Sequence, residues 1–137
     1  MQNIAPQVVS IADACLGGLH GRSALLIGPE ELRRPFVQLL KQAGMQTIYE
    51  EESASQLDRL LPQVQLLISI PAVTPAAPLI SAAAIAQGCG NRQIPLIILD
   101  LARSPSVEEL VGLLPFVCLY TPADLQRILR NSCVKAG

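Results

Sequence analysis

Aromatic residues are scarce in this chain of 137 residues, which has two Phe, two Tyr and no Trp. A platform for stacking nucleic-acid bases is therefore not supported. Charge is also sparse, because only 15% of the residues are charged and the net charge is −1. Without a basic excess the chain is not expected to bind nucleic acid. Half of the residues (50%) are hydrophobic, which excludes global disorder and predicts an aliphatic core.

Long apolar runs are missing too, since Pro, Gly or polar residues interrupt each run before the roughly 18 positions of a membrane span. No membrane association is expected. Residues 1–4 carry neither a basic nor an apolar stretch, so no secretory signal is visible and the expected compartment is the cytoplasm. The four cysteines are not at metal-ligand spacing and only His20 could assist them, so no metal site is expected.

Short aliphatic runs alternate with segments of helical periodicity. Strands are predicted at 23–28, 45–49, 66–70, 96–100 and 116–120. Helices are predicted at 8–16, 32–43, 57–61, 80–87, 107–114 and after Thr121. This alternation indicates a parallel sheet covered on both faces. The predicted fold is a doubly wound, Rossmann-like α/β domain with five parallel strands and an N-terminal helix. One domain is expected over 1–137, with the helix and lead-in at 1–22 and the α/β core at 23–137.

Ligands of such sheets bind outside the carboxyl ends of the strands. The turn after the first strand should carry three glycines that let a pyrophosphate approach the backbone. Here it reads Gly28-Pro29-Glu30-Glu31-Leu32-Arg33, so only the first glycine is present. Glu30 places a side chain and a negative charge where the phosphates would lie. Arg33 or Arg34 could reach a phosphate instead, although a solvated surface role is expected for both.

Further candidate contacts follow the later strands. Glu50 stands where a carboxylate commonly binds a ribose 2′-hydroxyl. The run 50–52 is entirely acidic and disfavours a 2′-phosphate, so NAD is favoured over NADP, although a solvated acidic strand end is the alternative. Asp100 either binds a ligand or caps the following turn, which is the commoner role. The predicted cofactor-binding residues are Gly28, Pro29, Glu30, Glu50, Ala72 and Asp100, with the absence of any cofactor an equal alternative.

No residue is predicted to be catalytic. His20 precedes the first strand, with no carboxylate or nucleophile at a recognisable spacing. Cys118 lies inside a predicted strand and is expected in the core. Cys89 stands between two glycines and is expected to be the most exposed thiol. None of the thiols lies beside a group that would clearly activate it.

Several segments together resemble the NADP-binding domain of glutamyl-tRNA reductase, an enzyme of the route to haem. The resemblance covers about residues 9–131 and begins with the entry into the first strand, Leu19–Gly28. It is most specific in Pro95–Pro105, a strand that ends in Asp before a basic, proline-containing turn. It is also specific in Val117–Leu125, where a strand ending in Tyr leads to an Asp-Leu helix start.

The resemblance implies a Rossmann fold, a nicotinamide cofactor and a place in tetrapyrrole biosynthesis. The family has a polar, basic turn for the NADP 2′-phosphate where this chain has Glu50–Glu52. It has small hydroxyl residues near the nicotinamide where this chain has Ile70–Ala72. The family's catalytic domain, with its nucleophilic cysteine, and its dimerisation domain have no counterpart in this sequence. The chain is therefore not expected to reduce glutamyl-tRNA by itself.

Three hypotheses of function remain open. The first is a stand-alone, degenerate dinucleotide-binding-like domain associated with tetrapyrrole biosynthesis. The second is a non-catalytic interaction module, in which helix 8–16 or segment 125–129 packs on a tetrapyrrole-pathway protein or on a second copy in a homodimer. The third is a small NAD(P)-dependent oxidoreductase, for which the sequence offers no acid, base or nucleophile.

Overall fold

The core of the protein is a parallel β-sheet. The computed structural model describes residues 4–70, 80–90, 94–103 and 105–136, with side chains up to residue 130. The strands of the described residues are Ser23–Ile27 (β1), Thr47–Glu51 (β2), Leu66–Ser69 (β3), Leu96–Asp100 (β4) and Val117–Tyr120 (β5). Their order is β2-β1-β3-β4-β5, and each neighbouring pair is parallel.

Helices cover both faces of this sheet. They are Ala5–Leu16 (α1), Glu30–Gln42 (α2), Leu57–Leu60 (α3), Ala82–Cys89 (α4) and Pro122–Ala136 (α5). One face carries a core with α1, α2 and α5, and the other carries a core with α3, α4 and the 3-10 turn Glu109–Leu113. The prediction of a doubly wound, Rossmann-like α/β fold with an N-terminal helix is confirmed.

The aliphatic runs occupy the positions that the sheet buries most deeply. β3 and β4 are buried along their whole length, and β1 is buried from Ala24 to Ile27. The edge strand β5 is mostly half-buried, and Cys118 is exposed. The expectation that Cys118 lies in the core is therefore wrong, because the faces of this edge strand are covered less completely than those of the central strands. Cys89 is half-buried while Cys118 is exposed, so the expectation that Cys89 is the most exposed thiol is also wrong.

Beyond shifts of a few residues at the ends of several helices, two predicted elements differ from those observed. The predicted strand 45–49 is shifted to Thr47–Glu51, so the acidic residues continue the strand. The predicted helix 107–114 is reduced to the 3-10 turn Glu109–Leu113. Leu114 has extended backbone angles of φ −75° and ψ 144° because the residue before a proline avoids the helical region. With Pro115 ending the segment, too few residues remain for a stable α-helix.

The strand order places a topological switch point between β1 and β3. The connection from β1 to β2 passes through α2 on one face, and the connection from β2 to β3 passes through α3 on the other. From β1 the chain moves outward to β2, and from β2 it crosses back past β1 to β3 on the other side, so the loops after β1 and β3 diverge and open a crevice at the carboxyl ends of these strands. In the described part of the chain, no helix has the length and apolarity to cross a bilayer.

Candidate functional site

Gly28 lies at the switch point, directly after β1. Its N–H donates to the Glu51 carbonyl oxygen at 2.9 Å, which ties it to the end of β2. Its φ is +149°, and a Cβ at this position would collide with the Ile70 carbonyl oxygen. Gly28 is therefore required by the close approach of the β1 and β3 ends, since no other residue combines this φ with so little space.

The turn after Gly28 leads straight into α2. Pro29 is the N-cap residue, and its carbonyl accepts the N–H groups of Leu32 at 3.0 Å and Arg33 at 3.1 Å. None of the described side chains caps this end of the helix. The exposed Glu30 lies in the first turn and pairs with Arg34 at 3.4 Å, one turn further along. The positive end of the α2 dipole therefore faces the strand ends with acidic side chains beside it.

Arg33 is buried, which corrects the expectation of a solvated surface role. Its side chain is 9% exposed, and its Nε lies 3.5 Å from Oε1 of Glu50, whose side chain is 39% exposed. Arg33 faces inward because it shares one helical face with the buried Phe36, Val37 and Leu40. Arg34, by contrast, is solvated as expected. The ion pair brings two positions of the predicted cleft into contact at the end of β2.

Asp100 is 1% exposed at the end of β4 and accepts hydrogen bonds from its own loop. Oδ2 accepts the N–H groups of Ser106 at 2.8 Å and Val107 at 3.0 Å. Oδ1 accepts the Ala102 N–H at 3.2 Å and the Ser106 hydroxyl at 2.6 Å. The Ser106 Oγ also lies 2.9 Å from the Ser69 Oγ. This carboxylate has four donors, so its geometry is that of a loop-holding residue.

Sequence reasoning missed the residues that complete this network. The Ser106 carbonyl accepts the Ile80 N–H at 2.9 Å, and the Glu108 N–H donates to the Ile80 carbonyl at 2.8 Å. Oε1 of Glu108 accepts the Ala82 N–H at 2.8 Å at the start of α4. The polar groups near the ends of β3 and β4 are thus used to hold the chain together. No local spacing rule signals contacts between segments so far apart in sequence.

The predicted site residues are distributed unevenly. Gly28, Pro29, Glu30 and Glu50 lie around the carboxyl ends of β1 and β2, and Asp100 lies at the end of β4. Ala72 lies outside the described residues. Among the residues that the structure describes, no cluster of three His, Cys, Asp or Glu could hold a metal ion.

Tyr120 and Cys15 form a contact that the sequence did not indicate. The Cys15 Sγ lies 3.1 Å from the Tyr120 Oη, which joins α1 to the end of β5. The hydrogen bond with the Cys15 thiol raises the pKa of Tyr120 well above its usual value. The contact therefore favours the protonated form of the phenol.

The sheet order, the switch point and the helical layers define a Rossmann-type α/β domain. Among curated proteins, the chain is similar to glutamyl-tRNA reductases. The enzyme from Idiomarina loihiensis is 30% identical over 149 residues, which are 95% of this chain and 35% of that protein. The enzyme from Thermus thermophilus is 29% identical over 148 residues, 98% of this chain and 38% of that protein. The resemblance noted in the sequence is confirmed, and the chain spans about a third of the length of these relatives.

Solved structures agree with this fold. Glutamyl-tRNA reductase from Methanopyrus kandleri superposes with a TM-score of 0.77 at 23% identity, over 94% of this chain and 37% of that one. NADPH-dependent glyoxylate/hydroxypyruvate reductase from Sinorhizobium meliloti gives a TM-score of 0.60 at 15% identity, over 94% of this chain and 74% of that one. At such identities these likenesses show the fold alone. A search of protein-family models found no match.

Proposed function

We propose that this chain is a degenerate dinucleotide-binding-like Rossmann domain associated with tetrapyrrole biosynthesis. The similarity to glutamyl-tRNA reductases supports the pathway, and the turn from β1 to α2 supports the loss of fit. Gly28 is kept because the backbone requires it. Glu30 and the buried Arg33 stand where the second and third glycines of the phosphate-binding turn belong. A pyrophosphate would meet side chains where it needs bare backbone.

The residues fit the adenosine half of a dinucleotide better than its pyrophosphate. Glu50 ends β2 with a half-exposed carboxylate, the position from which a ribose hydroxyl can be bound. Asp100 already accepts four hydrogen bonds, so it has little capacity left for a ligand. The proposed lining of the cleft remains Gly28, Pro29, Glu30, Glu50, Ala72 and Asp100. The cleft is proposed to bind NAD in preference to NADP, and to bind it weakly.

Titration calorimetry with NADH and NADPH tests this proposal. We expect NADH to bind with a dissociation constant in the millimolar range and NADPH to bind more weakly, because an intact pyrophosphate seat is missing. Micromolar affinity for either cofactor would contradict the loss of fit. No heat and no thermal shift at millimolar concentrations of both would remove the cofactor from the proposal.

A protein-interaction role is the second candidate, and an exposed apolar patch favours it. Leu110, Leu113 and Phe116 are 58%, 81% and 54% exposed beside β5. The apolar face of α1 and Leu125 of α5 are by contrast packed into the protein's own core. A shallow groove of about 470 Å³ between these helices is lined by Pro6, Gln7, Ser10, Ile11, Ala14 and Leu129. Light scattering tests self-association, and a strict monomer that retains no tetrapyrrole-pathway enzyme in pull-downs would oppose this candidate.

A further inference from the structure

The Arg33 guanidinium is a buried cation, and one of its donors, the Nε, is left unpaired among the described residues. Its Nε is buried and has no hydrogen-bond partner in the described part of the chain. The Nε lies 3.5 Å from the Glu50 carboxylate, which is an ion-pair distance without the alignment of a hydrogen bond. Buried donors are almost always paired in native proteins, because an unpaired one loses its solvation without compensation. An acceptor is therefore missing at this place.

The position of Arg33 indicates which acceptor is missing. α2 places the guanidinium beside Glu50 at the carboxyl end of β2, the edge where a Rossmann sheet receives an adenosine ribose. A guanidinium is a planar fork of donors that matches the oxygens of a phosphate. Glu50 is 39% exposed on its side chain, so it can turn toward solvent more easily than Arg33 can.

We infer that Arg33 is a phosphate-binding residue for a 2′-phosphorylated adenosine and that Glu50 competes for it. The inference rests on the proposed function only in placing the adenosine at this edge. With Glu50 charged, the ion pair satisfies part of the guanidinium and repels a 2′-phosphate. With Glu50 made neutral, the guanidinium is free to receive the phosphate. The preference for NAD over NADP then depends on the ion pair between Arg33 and Glu50. The other acidic residues of the run 50–52 contribute little to it.

The test compares Glu50→Gln with the matched control Glu52→Gln, which removes the same charge from an exposed position two residues further on. The probes are adenosine 2′,5′-bisphosphate, 5′-AMP and inorganic phosphate, with binding measured by calorimetry. Hydrogen bonds to charged groups are strong enough that E50Q should bind the bisphosphate about tenfold tighter than E52Q does. The affinity for 5′-AMP should be no higher in E50Q than in E52Q, because E50Q loses the carboxylate proposed to bind the ribose hydroxyl, so the gain should be specific to the bisphosphate.

A second substitution shows whether Arg33 carries the gain. In E50Q, the further change Arg33→Met replaces the guanidinium by an unbranched apolar side chain that suits a buried site. This double variant should lose the tenfold gain for the bisphosphate, while its affinity for 5′-AMP stays close to that of E50Q. Circular dichroism checks that it is folded. If it is not, E50Q/R33K replaces it, since lysine keeps the charge but loses the fork and should keep only part of the gain.

Several outcomes would overturn the inference. One is an equal affinity of E50Q and E52Q for the bisphosphate, including no measurable binding to either. Another is a gain that persists without Arg33. A third is inorganic phosphate binding to E50Q as tightly as the bisphosphate, which would assign the residue to a bare anion site. NADH binding to the unmodified protein is scored separately, so failure of the proposed function and failure of this inference are distinguishable.

Discussion

Removal of the Asp100 carboxylate should destabilise the protein more than most single substitutions. In Asp100→Ala, the N–H groups of Ala102, Ser106 and Val107 lose their acceptor, as does the Ser106 hydroxyl. Each buried donor left without an acceptor costs about 1–3 kcal/mol. Water entry and relaxation recover part of this sum. The expected loss in the free energy of unfolding is about 3–5 kcal/mol, as for breaking other buried charge networks.

Asp100→Asn is the finer version of the same experiment. Its amide can turn the NH₂ group toward the former Oδ1 side, where the Ser106 hydroxyl can rotate and accept a hydrogen bond. The hydroxyl then donates to Ser69 instead. The Ala102 N–H is left without an acceptor, and the Asn oxygen still accepts the two N–H groups on the other side. The expected loss is about 1–3 kcal/mol, below that of the alanine variant.

Urea denaturation with linear extrapolation measures both losses. In a domain of this size each kcal/mol corresponds to a fall in Tm of about 4 °C, so thermal melts should show the same order. A loss below about 1 kcal/mol for Asp100→Ala would refute the structural role of this carboxylate. If Asp100→Asn instead abolished NADH binding with unchanged stability, Asp100 would be a ligand contact and not a loop-holding residue.

Three further predictions concern single positions. Gly28→Ala should lower the free energy of unfolding by more than backbone strain alone, which costs about 1–3 kcal/mol. The reason is that its positive φ and the collision with the Ile70 carbonyl act together. Asp124→Ala should cost about 0.5–2 kcal/mol because it removes the carboxylate that accepts the Thr121 N–H, which is one half of the reciprocal cap at the start of α5. The hydrogen bond from the Thr121 backbone lowers the pKa of Asp124 below 3.8. The ionised Asp124 carboxylate therefore stabilises the fold above pH 3.8, and this contribution is lost as the pH falls through its lowered pKa. Urea titrations should show a smaller difference in the free energy of unfolding between Asp124→Ala and the unmodified protein at pH 2 than at pH 7. Cys15→Ala should return the pKa of Tyr120 toward 10.0, and an ultraviolet absorbance titration that shows no change would contradict the thiol–phenol contact.

The sheet could be predicted from the sequence because burial on both faces leaves a simple pattern. Leu66–Ser69 and Leu96–Asp100 are nearly continuous aliphatic runs, and only a strand between two layers of helices requires such a run. The place of the cleft followed from the same argument, since it depends on strand order and on no particular side chain. Cys118 was misplaced because the sequence does not distinguish an edge strand from a central one.

The partners of the site residues could not be predicted in the same way. Arg33 was expected in solvent on account of its charge, although its spacing from Phe36, Val37 and Leu40 places it on the buried face of α2. That spacing could have predicted the burial of Arg33, but the charge of its side chain was given more weight. The contact between Ser69 and Ser106 spans 37 positions, and only the assembled sheet brings the two hydroxyls together.

The two halves of the carboxyl edge therefore differ in what they offer a ligand. At the β3 and β4 ends, the Asp100 carboxylate and the Ser106 and Ser69 hydroxyls are bonded to one another and to the loop they hold. At the β2 end, the Nε of Arg33 is a buried donor for which the described residues supply no hydrogen-bond acceptor. A ligand gains little by replacing bonds that are already made, and it gains most where a donor is unpaired. Ligand recognition should consequently be concentrated at the β2 end, so that an adenosine fragment retains most of the affinity of a whole dinucleotide.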